Sequence, residues 1–226
     1  MAMVSDEAYV LHKIKYKNSS EIIKLLSKDQ GRLDVVAQGS CRPKSPFRGH
    51  LQPFISTTVS YRGKHELKTL VQAEQEDALP LLDYPNQVAL LYCNELLLLL
   101  NMDADVATAI YPVYKRILKQ LMQSQNIALL LREFEWQLCC FSGYELTLDD
   151  SVVADTGISF HPDLGLVFSH GESACDAATF RLFVTQKNLN SVQVKAISRL
   201  MRPVIQHMVN NRPIRSRELL KNYTAN

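Results

Sequence analysis

The chain has 226 residues, of which 46% are hydrophobic and 21% are charged, and its formal net charge is +2. This composition is that of a globular protein with a sizeable core, and it argues against a long disordered tract. The N-terminal sequence lacks the basic and apolar segments of a secretory signal, and the most apolar run, residues 88–100, is shorter than the ~20 residues of a membrane span, so we expect a cytoplasmic protein without membrane contact.

The first part of the chain, from Tyr9 to about Glu74, is predicted to form five short β-strands. The run YVLHKIKY alternates apolar and polar residues, RLDVVAQG ends at a glycine, and PFISTTVSYR is rich in β-branched and aromatic residues. Arg62-Gly63-Lys64 is a hairpin signal before HELKTLVQAE. The periodicity of SSEIIKLLSKD suits a helix or a strand, and we assign a strand because its neighbours need a pairing partner. Five short, mostly antiparallel strands predict a closed barrel such as the OB-fold.

A basic loop is predicted between the third and fourth strands, in the segment SCRPKSPFRGHLQ. The prolines at positions 43 and 46 and the glycine at position 49 exclude regular secondary structure. The loop contains Arg42, Lys44 and Arg48 and no acidic residue. We expect it to lie on the rim of the barrel.

After Pro80 the pattern changes to that of helices. Pro85 begins NQVALLYCNELLLLL, Tyr111-Pro112 opens VYKRILKQLMQ, and NIALLLREFEWQLCCFSG ends at Gly143, a residue suited to a helix C-cap. These segments predict three helices in succession.

Residues 144–180 lose helical periodicity and predict a small irregular insert with two strands, and residues 189–208 predict an amphipathic helix kinked at Pro203. The predicted fold class is therefore α+β. An N-terminal five-stranded OB-fold β-barrel occupies residues 1–80. An all-α helical domain follows in residues 81–226, with the irregular insert at about 144–182.

The charges are segregated along the chain. Residues 1–68 contain 12 Lys and Arg against 6 Asp and Glu, residues 69–180 contain 4 against 16, and residues 181–226 contain 9 against 1. Basic ends of this kind can attract phosphates, which favours a nucleic-acid ligand. The alternative is that the basic and acidic blocks neutralise one another after folding.

Five segments, in chain order, resemble the RecO family of bacterial recombination mediators. They are AYVLHKIKYKNSS, GRLDVVAQGSCRPKSPFRGHLQPF, YCNELL, LREFEWQLCCFSGY and RPIRSRELL. The resemblance implies an N-terminal OB-fold, a helical domain, and an insert that in many family members binds zinc through four cysteines. Between Gly143 and Arg181 this chain has only Cys175, so we expect a zinc-finger-like insert without metal, and no cofactor.

The resemblance also implies a role in DNA repair and recombination without catalysis. Family members bind and anneal single-stranded DNA, interact with RecR and with the C-terminal tail of the single-strand-binding protein SSB, and assist the loading of RecA. We expect these partners here, with double-stranded DNA as a further ligand, a monomer when the protein is alone, and association with the nucleoid. The alternative is an OB-fold module that acts on structured RNA.

The candidate DNA-binding residues are mostly cations that can pair with phosphates without sequence preference. They are Lys13, Lys15, Arg32, Arg42, Lys44, Arg48, Arg62 and Lys64, with Arg215 near the C-terminus. Phe47 is added as a stacking platform because it lies in the basic loop, and the other aromatic candidates are Tyr16, Phe54 and Tyr61. The alternatives are solvated surface charges for the cations and core positions for the rings.

Arg132 and Arg202 are the candidates for binding the acidic SSB tail, because each projects from an otherwise apolar helix. Their alternative is an ion pair with Glu133 or Glu95. Arg215 and Arg217 either contact DNA or cap the terminal helix, and for Arg217 we favour the structural role.

No segment predicts catalysis or a metal site. The chain contains no GxSxG, HExxH or GxxxxGK[ST] motif. The acidic candidates for a catalytic site are weak: Asp103, Asp105, Asp149, Asp150, and His161 with Asp163. The five cysteines, at positions 41, 93, 139, 140 and 175, are odd in number and lack paired spacing, which favours reduced thiols.

Overall fold

The computed structural model describes residues 3–75, 78, 80–123, 126–149, 151–169 and 173–224, with side chains described as far as residue 219. The chain forms two compact units. The first comprises residues 1–123 and 214–226, and the second comprises residues 124–213. The predicted domains, residues 1–80 and 81–226, are divided where the sequence pattern changes from strands to helices, whereas the two units are defined by contacts. The domain boundary therefore stays a prediction.

The first unit is built on a closed barrel of strands. These are β1 (Val4–Tyr16), β2 (Ser20–Ser27), β3 (Gly31–Ala37), β4 (Ser56–Arg62) and β5 (Leu67–Glu74). They close in the order β1-β2-β3-β5-β4, with β4 pairing back to β1. The β3–β5 pair is parallel and the other pairs are antiparallel. The predicted OB-fold barrel is confirmed, as is the assignment of the ambiguous second segment to a strand.

The alternation of side chains determines which face of each strand enters the barrel. In β3, Leu33, Val35 and Ala37 are buried while the residues between them are half-buried, the period of two expected of a strand with one face in a core. A single buried cluster includes residues from all five strands, among them Val10, Ile23, Val35, Val59 and Leu70. A register slip of one residue would move each of these side chains to the opposite face.

Most of the described chain after the barrel is helical. The helices are α1 (Tyr84–Leu99), α2 (Ala104–Leu121), α3 (Ile127–Phe141), α4 (Ala177–Val184), α5 (Ser191–Met208) and α6 (Arg215–Thr224). The helices α1, α2 and α6 belong to the first unit, and α3, α4 and α5 belong to the second.

The predicted start of the second helix at Tyr111-Pro112 is wrong. The helix α2 begins at Ala104, where the side chain of Asp103 accepts a hydrogen bond from Val106 N at 2.9 Å, and Pro112 lies inside it. A proline removes one backbone donor from a helix and so disfavours it locally. The buried face of α2 stabilises the helix by tertiary packing, which the local sequence pattern does not reveal.

The second unit contains a small sheet in the region predicted to be an irregular insert. Its strands are β6 (Gly157–His161), β7 (Gly165–Ser169) and β8 (Cys175–Asp176), in the order β7-β6-β8, so the described residues hold one strand more than predicted. The preceding helix α3 ends as expected, because Gly143 has a φ of +78° and its N–H donates to Cys140 O. The predicted helix at residues 189–208 is confirmed as α5 with Pro203 inside it.

Candidate nucleic-acid interface

The basic loop, residues 38–55, connects β3 to β4 and is joined at its start to the turn between β1 and β2. The N–H of Cys41 donates to Ser19 O at 3.1 Å. The cations that follow, Arg42 and Lys44, are therefore held near the end of β1.

The middle of the basic loop is anchored in the barrel. Phe47 and Leu51 are 7% and 4% exposed and belong to the buried cluster of the barrel. The guanidinium of Arg48 donates to Pro43 O at 3.1 Å, and successive backbone hydrogen bonds fold the loop into a run of turns. All three cations of the loop are exposed. The loop is thus an ordered element that presents positive charge to solvent.

Phe47 has a different position from the one predicted for it. A stacking platform must offer a ring face to solvent, whereas the ring of Phe47 is buried among the apolar side chains of the barrel. Phe54 and Tyr61 are also buried, and Tyr16 is half-buried. We therefore assign Phe47 as the anchor of the basic loop and remove it from the proposed DNA contacts.

The end of β1 carries two further candidate cations. Lys13 and Lys15 are both exposed. Lys15 lies opposite Glu21 of β2, whereas Lys13 lies opposite Ile23. A carboxylate on the facing strand partly neutralises the charge of Lys15, whereas Lys13 faces an apolar side chain.

Arg32 lies in β3 and makes a structural contact. It is half-buried, and its Nη1 donates to Leu100 O at 2.9 Å. Leu100 is the C-cap of α1, where a cation is favoured by the helix dipole. This hydrogen bond competes with a phosphate for the guanidinium.

Arg62 and Lys64 lie at the turn between β4 and β5, and both are exposed. The strand after this turn begins at Leu67, which pairs with Asp34 in the middle of β3. Asp34 forms an ion pair with Lys24 at 2.9 Å. The turn that carries these two cations therefore leads into a strand that runs beside β3 from Asp34 onward.

Asn94, in the segment YCNELL, links α1 to a bulge in β1. The register of β1 shifts between Val10 and His12, and the Nδ2 of Asn94 donates to Val10 O at 3.3 Å and to Leu11 O at 3.0 Å. The Oδ1 of Asn94 accepts a hydrogen bond from the hydroxyl of Tyr114. The sequence interpretation missed this role, although a polar residue within an apolar helix was the available signal.

The segment RPIRSRELL starts α6 against α1. The N–H groups of Arg215 and Ser216 donate to the carboxylate of Glu95 at 2.8 Å and 2.9 Å, and the hydroxyl of Ser216 donates to it at 2.5 Å. Arg217 donates to the hydroxyl of Tyr92 at 3.0 Å, which supports the structural role predicted for it. The side chain of Arg215 is exposed, so it stays a candidate DNA contact.

Arg132 and Arg202 lie on α3 and α5, which pack against each other in the second unit. Arg132 forms an ion pair with Glu135 at 2.5 Å, and the two side chains are 15% and 0% exposed. Glu135 is one helical turn further along and was not named from the sequence. The Nε of Arg132 is buried and has no hydrogen-bond partner among the described residues. Arg202 is exposed.

The weak catalytic candidates have structural contacts. Asp103 caps α2, and Asp149 accepts a hydrogen bond from Ser151 N at 2.8 Å. The Nδ1 of His161 accepts from Asp163 N at 3.2 Å. Asp150 lies outside the described residues.

The cysteine of the insert, Cys175, is buried. Burial, with a further contribution from Asp176, raises the pKa of Cys175 to about 12. Among the residues that the structure describes, no three His, Cys, Asp or Glu side chains are grouped as they would be around a metal ion.

Two family models match the chain. The model described as "Recombination protein O N terminal" matches residues 1–78, and the model described as "Recombination protein O C terminal" matches residues 81–182. The chain belongs to the RecO family.

Several RecO relatives are similar over nearly their whole length. The DNA repair protein RecO of Idiomarina loihiensis is 30% identical over 231 residues, which cover 96% of this chain and 98% of that protein. The proteins of the same name from Nitrosospira multiformis and Methylococcus capsulatus are each 31% identical, over 96% of this chain and 94% and 92% of theirs. The resemblance seen in five short segments is therefore confirmed as a relationship of the whole chain.

No helix within the described ranges is both long enough and apolar enough to cross a bilayer.

Proposed function

We propose that this RecO-family protein acts in DNA repair and recombination by capturing single-stranded DNA on the basic loop and the adjoining end of β1. Its relatives at 30–31% identity are named DNA repair proteins. The observation that carries the proposal is the ordered loop, which is anchored by Phe47 and Leu51 and has three exposed cations and no acid in residues 40–52.

Capture on this surface is electrostatic. Arg42, Lys44 and Arg48 pair with phosphates and release the counterions condensed on the strand, which favours binding at low salt without selecting a sequence. Lys13 and Lys15 extend the same end of the barrel, and Arg62, Lys64 and Arg215 are the outer contacts. Arg32 contributes less because Leu100 O already occupies its guanidinium. The same contacts serve double-stranded DNA.

Annealing follows from neutralising two strands at one surface. The positive loop reduces the repulsion between their phosphates, and a strand held there meets a second strand at raised local concentration. No covalent step is needed, so the proposed activity is binding and annealing without catalysis.

The second unit is the proposed site for the SSB tail. A peptide that ends in a carboxylate and carries apolar side chains suits an arginine beside an apolar helix pair. Arg132 supports this choice because its side chain is 15% exposed on α3, which packs against α5. Arg202, exposed on the facing helix, is the second cation. The protein also contacts RecR, assists the loading of RecA and associates with the nucleoid in this proposal.

The proposal is tested by the binding of a fluorescent single-stranded oligonucleotide across a salt series. The variant carries Arg42→Ala, Lys44→Ala and Arg48→Ala. We expect a weaker affinity and a salt slope smaller by about 2, because each lost phosphate contact in single-stranded DNA removes ~0.7 from the slope. A control variant, Lys119→Ala with Lys187→Ala and Lys195→Ala, removes the same charge from exposed positions outside the loop and should retain the slope.

Two results would contradict the proposal. If wild-type protein does not bind the oligonucleotide at low salt, the barrel is not a DNA-binding surface in the isolated protein. If both triple variants lose the same slope, overall charge rather than the loop controls binding. Tighter binding to duplex RNA than to unstructured single-stranded DNA would favour the RNA-binding alternative.

A further inference from the structure

Gln75 follows directly after β5 and ties the far end of the basic loop to the barrel. Its Nε2 donates to Gln52 O at 2.8 Å, and its Oε1 accepts from Gln52 N at 3.3 Å. One neutral side chain therefore pairs with both backbone groups of a single loop residue. The same Nε2 donates to the hydroxyl of Thr57 at 2.7 Å, so both amide hydrogens are used.

Thr57 continues this contact into the barrel. Its side chain is fully buried, and its hydroxyl donates to Ile55 O at 3.3 Å. The hydrogen bonds from Gln75 through Thr57 to Ile55 fix the residues at which the loop becomes β4. Gln52, held by the same amide, lies four residues after Arg48.

The loop is also held at its start and in its middle. At its start the N–H of Gly39 donates to the hydroxyl of Ser20 at 3.2 Å, and in its middle Phe47 and Leu51 are buried in the barrel. The loop is long for a connection between two strands and has no helix or strand of its own, so its order depends on such outside contacts. Near the C-terminal end of the loop, Gln75 holds Gln52, and a backbone bridge pairs the next residue, Pro53, with Val10 of β1.

We propose that Gln75 is a positioning residue for DNA binding, which holds the cations of the basic loop in place before the strand arrives. This inference rests on the proposed function of the loop. Without Gln75 a binding strand must order the end of the loop itself, which lowers affinity. Gln75 carries no charge, so its loss changes neither the charge of the loop nor the number of phosphates neutralised. Affinity therefore falls while the salt slope stays the same.

The test is Gln75→Met, which keeps the length of the side chain and removes its hydrogen-bonding groups. Binding of a fluorescent oligodeoxythymidine is measured across the salt series. We expect the Kd to rise by ~3- to 10-fold at every salt concentration, the size of effect that one or two hydrogen bonds produce. The matched control is Gln72→Met, on an exposed position of β5 whose amide donates to Glu74 at 2.6 Å, and it should bind like wild type.

Hydrogen exchange without DNA provides an independent readout. The amides of residues 47–52 should exchange faster in Gln75→Met than in wild type or in Gln72→Met, while those of the strands stay protected. If Gln75→Met is unstable, Gln75→Asn, with the same amide on a shorter side chain, should show the same loosening.

The possible outcomes separate this inference from the function on which it rests. Unchanged exchange in residues 47–52, or a wild-type Kd for Gln75→Met, overturns the positioning role. So does a reduced salt slope like that of the triple variant of Arg42, Lys44 and Arg48, because Gln75 would then affect the number of phosphate contacts. If wild type binds no DNA, the proposed function fails, and the exchange data alone decide whether Gln75 holds the loop.

Discussion

Asn94 makes hydrogen bonds to two backbone groups at the bulge of β1. Its amide serves two carbonyl oxygens, those of Val10 and Leu11, and it accepts from Tyr114 in a site where Asn94 itself is only 3% exposed. A buried polar group without a partner costs about 1–3 kcal/mol, so one side chain that serves three such groups has a large effect on stability.

Asn94→Leu should therefore lower the free energy of unfolding by about 3 kcal/mol, since two carbonyls and a hydroxyl each lose a buried hydrogen bond together. Urea unfolding measures the change. The control is Gln87→Leu on the same helix, whose amide donates to Leu82 O at an exposed site and should change stability by less than about 1 kcal/mol. Equal effects of the two variants would show that burial of the Asn94 network contributes nothing.

The start of β3 lies close to α2 in the first unit. Gly31 has a φ of +67°, and a Cβ there would lie 2.7 Å from Ala104 O and 2.8 Å from Ala107 Cβ. Only glycine combines this backbone conformation with so short a distance. The contact sets how deeply the start of α2 packs on the barrel.

Gly31→Ala should destabilise the protein through both effects, by about 3–4 kcal/mol, the sum of a left-handed alanine and an overpacked contact. Gly49→Ala is the matched control because Gly49 also has a positive φ, +86°, but a Cβ there would meet nothing within 4 Å. Its expected effect is only the conformational part, about 1–2 kcal/mol. Thermal unfolding of the two variants measures the difference, and equal melting temperatures would refute the close-packing account.

On the scale of the whole molecule, the chain leaves its first compact unit after residue 123 and returns to it at residue 214. The return is made by α6, whose first N–H groups lie against the carboxylate of Glu95. An anion at a helix N-terminus is favoured by the unpaired N–H groups and by the helix dipole. Glu95 thus joins the two ends of one folding unit that are far apart in sequence.

Glu95→Gln should loosen α6 by about 1–2 kcal/mol, because a neutral amide accepts these hydrogen bonds less strongly than a carboxylate. Faster hydrogen exchange of the amides of Arg215 and Ser216 is the measurement. The control is Glu218→Gln, at an exposed position in the first turn of α6. It removes the same charge away from Glu95 and should leave the exchange of the Arg215 and Ser216 amides unaltered. Protection that survives Glu95→Gln would show that other contacts hold α6.

The amino-acid sequence by itself determined the local features of this protein. Alternating residues predicted the strands and hence the barrel, Gly143 predicted the end of α3, and the prolines and cations of residues 40–52 predicted an irregular basic loop. These features depend on neighbours along the chain, so short-range sterics and burial periodicity are sufficient to specify them.

Only the tertiary structure decided which of these residues face solvent and which are held by distant partners. Phe47 enters the barrel instead of the DNA surface, Arg32 caps α1, and Pro112 lies inside a helix whose buried face outweighs its local preference. Gln75, which no motif identifies, pairs with Gln52 across the loop. Burial and hydrogen bonding between residues far apart in sequence depend on how the elements pack, and no short stretch of sequence contains that information.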